Sequence, residues 1–218
     1  MGSPTDRLSP LQRQVLGAFF REAPDAWFLT GGAALGGFWL GHRTTLDLDL
    51  FAAEGDLADG VGALRRAADG LGAVPRQLIH TPDFARFLVS RDEDGVVVDL
   101  VRDRVPQLLA KTVVAHAIRL DSIREIAANK LTTLVNRSEP RDLVDLRALL
   151  ETGLSLDTVL ADAVRKDLSA DPATLAWVLS TSSLPEAGVP EGYLHADLLA
   201  FRAELEADLR RRSAPPVG

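Results

Sequence analysis

The sequence predicts an α/β (α+β) fold in which helices flank a mixed β-sheet, followed by an all-helical C-terminal part. Two observations predict this fold. In the first half, helix-like and strand-like segments alternate, and a run of strands then follows. From Asp121 onward the apolar spacing is helical. We therefore divide the chain near residue 120, into a core domain over residues 1–120 and a helical domain over residues 121–218.

The core domain opens with a helix that Ser9 caps and that ends before Pro24. The pair Gly31-Gly32 then separates a short apolar strand from a second helix, which Gly41 ends. A third helix precedes three strands, although glycine inside it weakens its helical character. The predicted strands are 27–30, 45–51, 74–79, 85–90 and 96–101, and the second and third helices are 33–40 and 56–71.

The helical domain contains apolar residues that recur every three to four positions, as on the buried face of a helix. The end of the chain, "SAPPVG" from Ser213 to Gly218, is predicted to be a loose tail. The predicted helices of this domain are 123–135, 141–150, 156–168, 172–179 and 194–211.

The composition indicates an ordinary globular protein of 218 residues with 46% apolar content. The uncharged run from Ala26 to Gly41 is shorter than the roughly 20 apolar residues of a membrane helix, so we expect no membrane span. Residues 1–10 do not resemble a secretory signal, and the absence of cysteine makes the cytoplasm the expected compartment. A net charge of -7 argues against broad, nonspecific binding to nucleic acid.

The segment "LDLDLF" predicts a strand with an acidic face. Side chains alternate along a strand, so Asp47 and Asp49 project together, about 7 Å apart. A third acid, Asp99, interrupts the apolar strand "VVVDLV". Three such carboxylates suit hard divalent cations such as magnesium, which prefer oxygen ligands. The leucines that alternate with the acids are expected to face the core; these are Leu46, Leu48 and Leu50.

The glycine pair Gly31-Gly32 lies between a strand and a helix, where the backbone can approach a ligand and helix N–H groups attract phosphate. The glycine pair and the Asp-x-Asp pair each have a purely structural explanation when taken alone. An Asp-x-Asp pair also occurs on the solvent-exposed face of an edge strand, and any strand-to-helix turn can use glycine. The glycine turn, the Asp-x-Asp pair and Asp99 together are a much more specific indication of a phosphate and metal site.

Residues 31–51, "GGAALGGFWLGHRTTLDLDLF", resemble the first motif of the AbiEii/AbiGii-type, MenT-like nucleotidyltransferase toxins of the DNA polymerase β-like superfamily. The segment "IAANKLTTLVNRSEPRDLVDLRALL", residues 126–150, is similar to the lysine and Arg-Asp-x-x-Asp-Leu region of the same family. Ala33 departs from the pattern, because the family usually has serine or threonine after the glycine pair. The resemblance implies a nucleotidyltransferase-type sheet in the core domain.

The resemblance also implies transfer of a nucleoside monophosphate from a nucleoside triphosphate to an acceptor hydroxyl. Asp47, Asp49 and Asp99 would hold two magnesium ions, and Asp99 would also be a candidate base. Among the nucleotide-binding candidates, Thr45 fits the small hydroxyl residue that precedes the acids and Arg43 the Gly-His-Arg stretch. The other candidates are Gly31, Gly32 and Lys130.

Lys130 lies in the middle of a predicted helix, where its stem can pack while its ammonium group contacts the triphosphate; otherwise it is a surface lysine. Asp142 is the remaining site candidate and would position Lys130 or an arginine, unless it only stabilises a helix N-terminus. Arg137 and Arg141 would meet phosphate or RNA, or form surface ion pairs with Glu139 or Asp145.

The resulting prediction is a magnesium-dependent nucleotidyltransferase toxin of a toxin-antitoxin or phage-defence system, with a tRNA 3′ end as the acceptor and a cognate antitoxin as partner. Two alternatives stay open. The acceptor would be a small molecule or a protein hydroxyl, or the chain would be a catalytically silent module that binds nucleotides. An acidic chain would seat tRNA only if basic residues gathered near the site. The candidates for such a patch are Arg124, Lys130, Arg137, Arg141, Arg147 and Arg210 to Arg212.

Overall fold

The computed structural model describes residues 6–137 and 139–214. It divides the chain into two compact units, Met1–Ser122, which we call the sheet unit, and Ile123–Gly218, which we call the helical unit. Residues 215–218 of the predicted loose tail lie outside the described residues. The mixed α/β architecture confirms the predicted fold class.

The sheet unit contains seven strands and three α-helices within its described residues. The second α-helix, Gly31–Ala34, continues directly as a π-helical segment, Leu35–Trp39, and a 3₁₀ turn, Ala115–Ala117, precedes the last strand. The elements are α1 (Pro10–Glu22), β1 (Trp27–Thr30), α2 (Gly31–Ala34), β2 (Asp47–Ala52), α3 (Leu57–Gly70), β3 (Val74–His80), β4 (Phe84–Arg91), β5 (Asp94–Arg102), β6 (Thr112–Val113) and β7 (Arg119–Leu120).

The strands form one mixed sheet in the order β3-β4-β5-β2-β1-β7-β6. Strands β2 and β5 run parallel, as do β1 and β7, and the other neighbours are antiparallel. Strand β2 lies in the middle of the sheet, between β5 and β1. Its side chains are therefore held on both sides by paired strands, which favours a rigid platform for a site.

The alternation of β2 separates a buried face from an accessible one. Leu48 and Leu50 are fully buried, whereas Asp47 and Asp49 on the other face are partly exposed. The prediction that Leu46 also faces the core is wrong, because its side chain is 86% exposed. Leu46 precedes the first paired residue of β2, so the pleat of the sheet does not determine its direction.

Helix α3 packs on the buried face of the sheet, where Trp27 of β1 meets it at Gly60. A Cβ atom at Gly60 would lie 2.1 Å from the Trp27 ring, so only glycine lets the helix approach so closely. Phe19 of α1 contacts the same ring edge-to-face, with centroids 5.8 Å apart. Gly60 lowers the helical propensity of α3, but it allows the helix to pack closely against Trp27.

The two short strands β6 and β7 were absent from the sequence prediction. Each has two residues, too few to show alternation, and only pairing with neighbouring strands makes them visible. The longer strands and helices agree with the prediction within a few residues at each end.

The helical unit contains five helices in its described part. Leucines at three- and four-residue spacing bury one face of each of its central helices, as Leu143, Leu146 and Leu149 do on a single helix. In the described part of the chain, no helix has the length and apolar character needed to cross a membrane. The helices are α4 (Ile123–Asn136), α5 (Pro140–Glu151), α6 (Leu156–Lys166), α7 (Pro172–Thr181) and α8 (His195–Ser213).

Candidate active site

One face of the sheet carries a row of polar side chains across four neighbouring strands. The register pairs Thr30 of β1 with Asp49 of β2, Asp49 with Asp99 of β5, and Asp99 with Arg86 of β4. Directly paired residues on adjacent strands project to the same face, so these four side chains lie side by side. Asp99 therefore shares a face with Asp49, although the two are far apart in the sequence.

Asp47 lies two residues before Asp49 on β2, so its side chain projects to the same face. The Thr45 hydroxyl donates a hydrogen bond to Asp47 Oδ1 at 2.6 Å. The Thr45 carbonyl in turn accepts a hydrogen bond from Gln12 Nε2 of α1 at 3.0 Å. These two bonds tie the loop before β2 to the first helix, so the orientation of Asp47 is fixed from outside the sheet.

Arg86 is a site residue that the sequence prediction missed. Its Nε and Nη2 atoms donate to the two oxygens of Asp99 at 2.7 and 2.6 Å, a bidentate ion pair. The hydrogen bonding to Asp99 raises the pKa of Arg86, and the charges of Asp47 and Asp49 add to the rise. The three carboxylates thus act on one guanidinium. In the sequence, Arg86 is one arginine among many, and only strand pairing distinguishes it.

The glycine pair makes room for the side chains of this site. Gly31 has a φ of 65°, and a Cβ atom there would lie 2.2 Å from Asp49 Oδ2. A Cβ atom at Gly32 would lie 2.7 Å from Arg43 Nη2 and 3.2 Å from Thr45 Oγ1. The two glycines therefore allow Asp49, Arg43 and Thr45 to lie against the start of α2. Phosphate binding by this turn stays a prediction.

We expect Gly31→Ala to impair both folding and activity. Alanine at positive φ costs about 1–2 kcal/mol, and its methyl group would also displace the Asp49 carboxylate. Denaturant unfolding measures the first effect, and the rate of the transfer reaction that the family resemblance implies measures the second. Gly72→Ala is the matched control, because Gly72 has nearly the same φ, 64°, and nothing within 4 Å of its Cβ position. If both variants lost stability equally and kept full activity, the contact between Gly31 and Asp49 would be unimportant.

The helical unit contains a second polar cluster, centred on Lys130 of α4. Lys130 Nζ lies 2.9 Å from Asp142 Oδ1 and 2.7 Å from Asp145 Oδ2 of α5. Both carboxylates are fully buried, and Lys130 is only 8% exposed. Lys130 is therefore not a surface lysine; it is the counter-charge of two buried acids.

The two acids of this cluster favour the charged form of Lys130. Burial opposes the charged form of Lys130, but Asp145 and Asp142 outweigh it and raise the pKa of the ammonium group. Asp142 also accepts a hydrogen bond from Arg137 Nε at 3.2 Å. Asp142 thus contacts both Lys130 and an arginine, the two partners that the sequence suggested for it. Its role in activity, like that of Lys130, stays a prediction.

The predicted site residues divide between the two units. Those that the structure brings together in the sheet unit are Asp47, Asp49, Asp99, Gly31, Gly32, Arg43 and Thr45. Lys130 and Asp142 are brought together in the helical unit. Two residues of these clusters were not predicted. Arg86 binds Asp99 in the sheet unit, and Asp145 is the second carboxylate that contacts Lys130 in the helical unit.

Comparison with known proteins gives one family match and several structural likenesses. Residues 14–214 match the family described as nucleotidyl transferase AbiEii toxin, type IV toxin-antitoxin system. The fold resembles MenT4, a nucleotidyltransferase toxin from Mycobacterium tuberculosis H37Rv, with a TM-score of 0.66 and 19% identity over 94% of this chain and 83% of that one. It also resembles JHP933 from Helicobacter pylori, with a TM-score of 0.54 and 20% identity over 93% and 92% of the two chains. No curated protein sequence matches.

The mixed sheet with its acidic face and the family match define the chain as a nucleotidyltransferase. It belongs to the AbiEii nucleotidyl transferase toxins of type IV toxin-antitoxin systems. Membership confirms the family resemblance seen in the sequence, and it implies a nucleoside triphosphate substrate and an antitoxin partner.

Proteins of this family generally use divalent metals, and the acidic face fits such a cation in the type of its ligands. Asp47, Asp49 and Asp99 supply carboxylate oxygens from one side of two paired strands. Across residues 6–137 and 139–214, however, no three acidic or histidine side chains already gather around a single ion position. In the sheet, both oxygens of Asp99 bind Arg86 instead.

Proposed function

We propose that this chain transfers a nucleoside monophosphate from a nucleoside triphosphate to the 3′ end of tRNA, with release of pyrophosphate. It would act in the cytoplasm as the toxin of its toxin-antitoxin or phage-defence system. The observation that carries the proposal is the register between β2 and β5, which puts Asp49 and Asp99 side by side and Asp47 on the same face. Carboxylates on one face of a sheet supply the oxygen ligands that magnesium needs in phosphoryl transfer.

The acidic face would hold two magnesium ions. Asp47 and Asp49 would bind these ions, and Asp99 would join the one that activates the acceptor hydroxyl. Bound there, the ions would stabilise charge on the attacking and leaving oxygens. Asp99, which lies next to Asp49 in the register of the sheet, would also be the candidate base for the acceptor proton.

The nucleotide phosphates would lie against the start of α2. Gly31 and Gly32 have no side chains of their own at this turn, and Arg43 and Thr45 adjoin Gly32. Lys130 is proposed to contact the triphosphate and Asp142 to position it, in line with the lysine and aspartate motif of the family resemblance. The charge that Lys130 would bring is maintained by Asp142 and Asp145.

The proposal that tRNA is the acceptor is based on the resemblance to the toxin family and not on a basic surface. The arginines that were candidates for a basic patch all have acidic partners within the helical unit: Arg124 pairs with Asp162, Arg137 and Arg141 with Glu139, Arg147 with Glu151, Arg210 with Glu206, and Arg211 and Arg212 with Asp208. Each of these arginines would have to exchange its acidic partner for a phosphate, so we expect weak binding of tRNA by this group.

The test offers each α-³²P-labelled ribonucleoside triphosphate separately to the full-length protein with magnesium and tRNA. We expect label in tRNA and none after chelation with EDTA. Periodate-oxidised tRNA, which lacks the terminal 3′ hydroxyl, is the matched substrate control and should stay unlabelled. Parallel reactions contain a protein extract or a panel of small hydroxyl compounds in place of tRNA.

The outcomes separate the proposal from its alternatives. Label in protein or in a small hydroxyl compound, with none in tRNA, would overturn the acceptor and leave the transfer reaction standing. If the protein binds triphosphate with magnesium but releases no pyrophosphate with any acceptor present, the reaction itself is overturned. That result would indicate a silent nucleotide-binding module.

A further inference from the structure

The ion pair between Arg86 and Asp99 occupies a carboxylate that the proposed reaction needs for a metal ion. Both guanidinium donors bind Asp99, one to each oxygen, at 2.7 and 2.6 Å. A magnesium ion requires a carboxylate oxygen at about 2.0–2.1 Å in nearly octahedral geometry. An ion on either Asp99 oxygen would compete with this fork, because its positive charge would lie within a few ångströms of the guanidinium.

The surroundings of Arg86 show that it serves the acidic face and not the core. Its side chain is 40% exposed, while that of Asp99 is only 9% exposed. The charges of Asp47 and Asp49 act on Arg86 as well as that of Asp99. Its packing contact is the ring of Phe84 on the same strand, 5.7 Å from the guanidinium carbon. Arg86 therefore adds positive charge to a face that carries three neighbouring carboxylates.

We propose that Arg86 is a resident cation of the site, which competes with the divalent metal for Asp99 and keeps the three carboxylates together in the metal-free protein. The inference rests on the proposed function, because it concerns the metal site of that reaction. It assigns Arg86 as a positioning residue. Metal entry then requires exchange of one cation for another at Asp99, and the affinity for free metal is lowered by the energy of the Arg86 pair.

The decisive experiment measures binding of Mn²⁺ alone, without nucleotide, to the wild-type protein and to Arg86→Gln. We expect the variant to bind Mn²⁺ at least about 5-fold more tightly, the lower end of the range for coupling between two ligands. Its metal-free form should unfold at a lower temperature than the wild type, and Mn²⁺ should raise that temperature by more. A merely structural role would predict weaker or equal metal binding after the substitution.

Arg104→Gln is the matched control. Arg104 also contacts both oxygens of one carboxylate, at 3.0 Å each to Asp83, but it is 70% exposed and outside the acidic row. Its substitution removes the same charge and should leave Mn²⁺ binding unchanged. Arg86→Lys keeps the charge with fewer donors, so its Mn²⁺ affinity should fall between those of the wild type and Arg86→Gln; it also serves if Arg86→Gln does not fold.

Two results would overturn the inference, and they are distinguishable. If the wild type binds Mn²⁺ and the Arg86 variants bind it no more tightly, then Arg86 does not compete for Asp99, and the proposed function is unaffected. If neither the wild type nor any variant binds Mn²⁺, with or without a nucleoside triphosphate, then the metal site and the proposed function fail together.

Discussion

Asp49→Asn should reduce nucleotide transfer about 10³-fold, the upper end of the loss expected when one group that stabilises a transition state is removed. Asparagine has the same shape as aspartate, so it still fits beside Gly31, where no Cβ atom would be tolerated. It lacks the negative charge that would hold a metal ion next to Asp99. The measurement is the rate of label incorporation from the preferred triphosphate, with the circular dichroism spectrum as a check on folding.

The control for this substitution is Glu54→Gln, which removes one negative charge from an exposed position just after β2. It should leave the rate within about twofold of the wild type, because surface charges away from a site have small effects. Transfer by Asp49→Asn at more than about a tenth of the wild-type rate would show that Asp49 is not a metal ligand.

Lys130→Met should destabilise the helical unit by about 3–5 kcal/mol, the cost of removing one partner of a buried ion pair. Methionine fills much of the same volume, but it leaves Asp142 and Asp145 fully buried without their ammonium partner. Urea unfolding followed by circular dichroism gives the free energy. Hydrogen exchange of the α4 and α5 amides shows that the loss is in this unit.

Two further variants separate stability from nucleotide binding. Lys166→Met is matched to Lys130→Met, because Lys166 forms another buried ion pair in the same unit, with Glu125. Both should lose stability, but only Lys130→Met should raise the KM for the triphosphate. An equal change of KM in the two variants would contradict a triphosphate contact by Lys130. Lys130→Arg keeps the charge and should restore most of the stability.

The sign of the pKa shift adds a pH dependence to the same comparison. The pKa of Lys130 is raised in the folded protein, so its stabilising contribution is complete below the unfolded value of about 10.4. That contribution is lost as the pH rises through the folded value. Lys130→Arg should keep it to higher pH, because arginine stays protonated there.

Much of the candidate site could be predicted from local sequence. Alternation in β2 determines that Asp47 and Asp49 share a face, since the side-chain period of a strand is a property of neighbouring residues alone. An acid inside an apolar strand indicated Asp99. The failure at Leu46 shows the limit of this reasoning, because the period applies only where the strand is paired, and pairing begins one residue later.

The positions of the cations could not be predicted in the same way. Arg86 lies on Asp99 because β4 and β5 pair in one particular register, and a shift of one residue would put Arg86 on the other face of the sheet. Lys130 lies between Asp142 and Asp145 because α4 packs against α5 with these faces together. In the sequence, each of these acids has several arginines or lysines at comparable distance along the chain.

The sequence by itself determined the fold class, and it predicted a division near residue 120 and a set of acids and glycines as site candidates. These features follow from periodicity and residue type over short stretches of chain. Only the tertiary structure decided which cations pair with Asp99, Asp142 and Asp145. Ion pairs form between groups that strand register and helix packing bring within about 4 Å, and those long-range arrangements leave no local pattern.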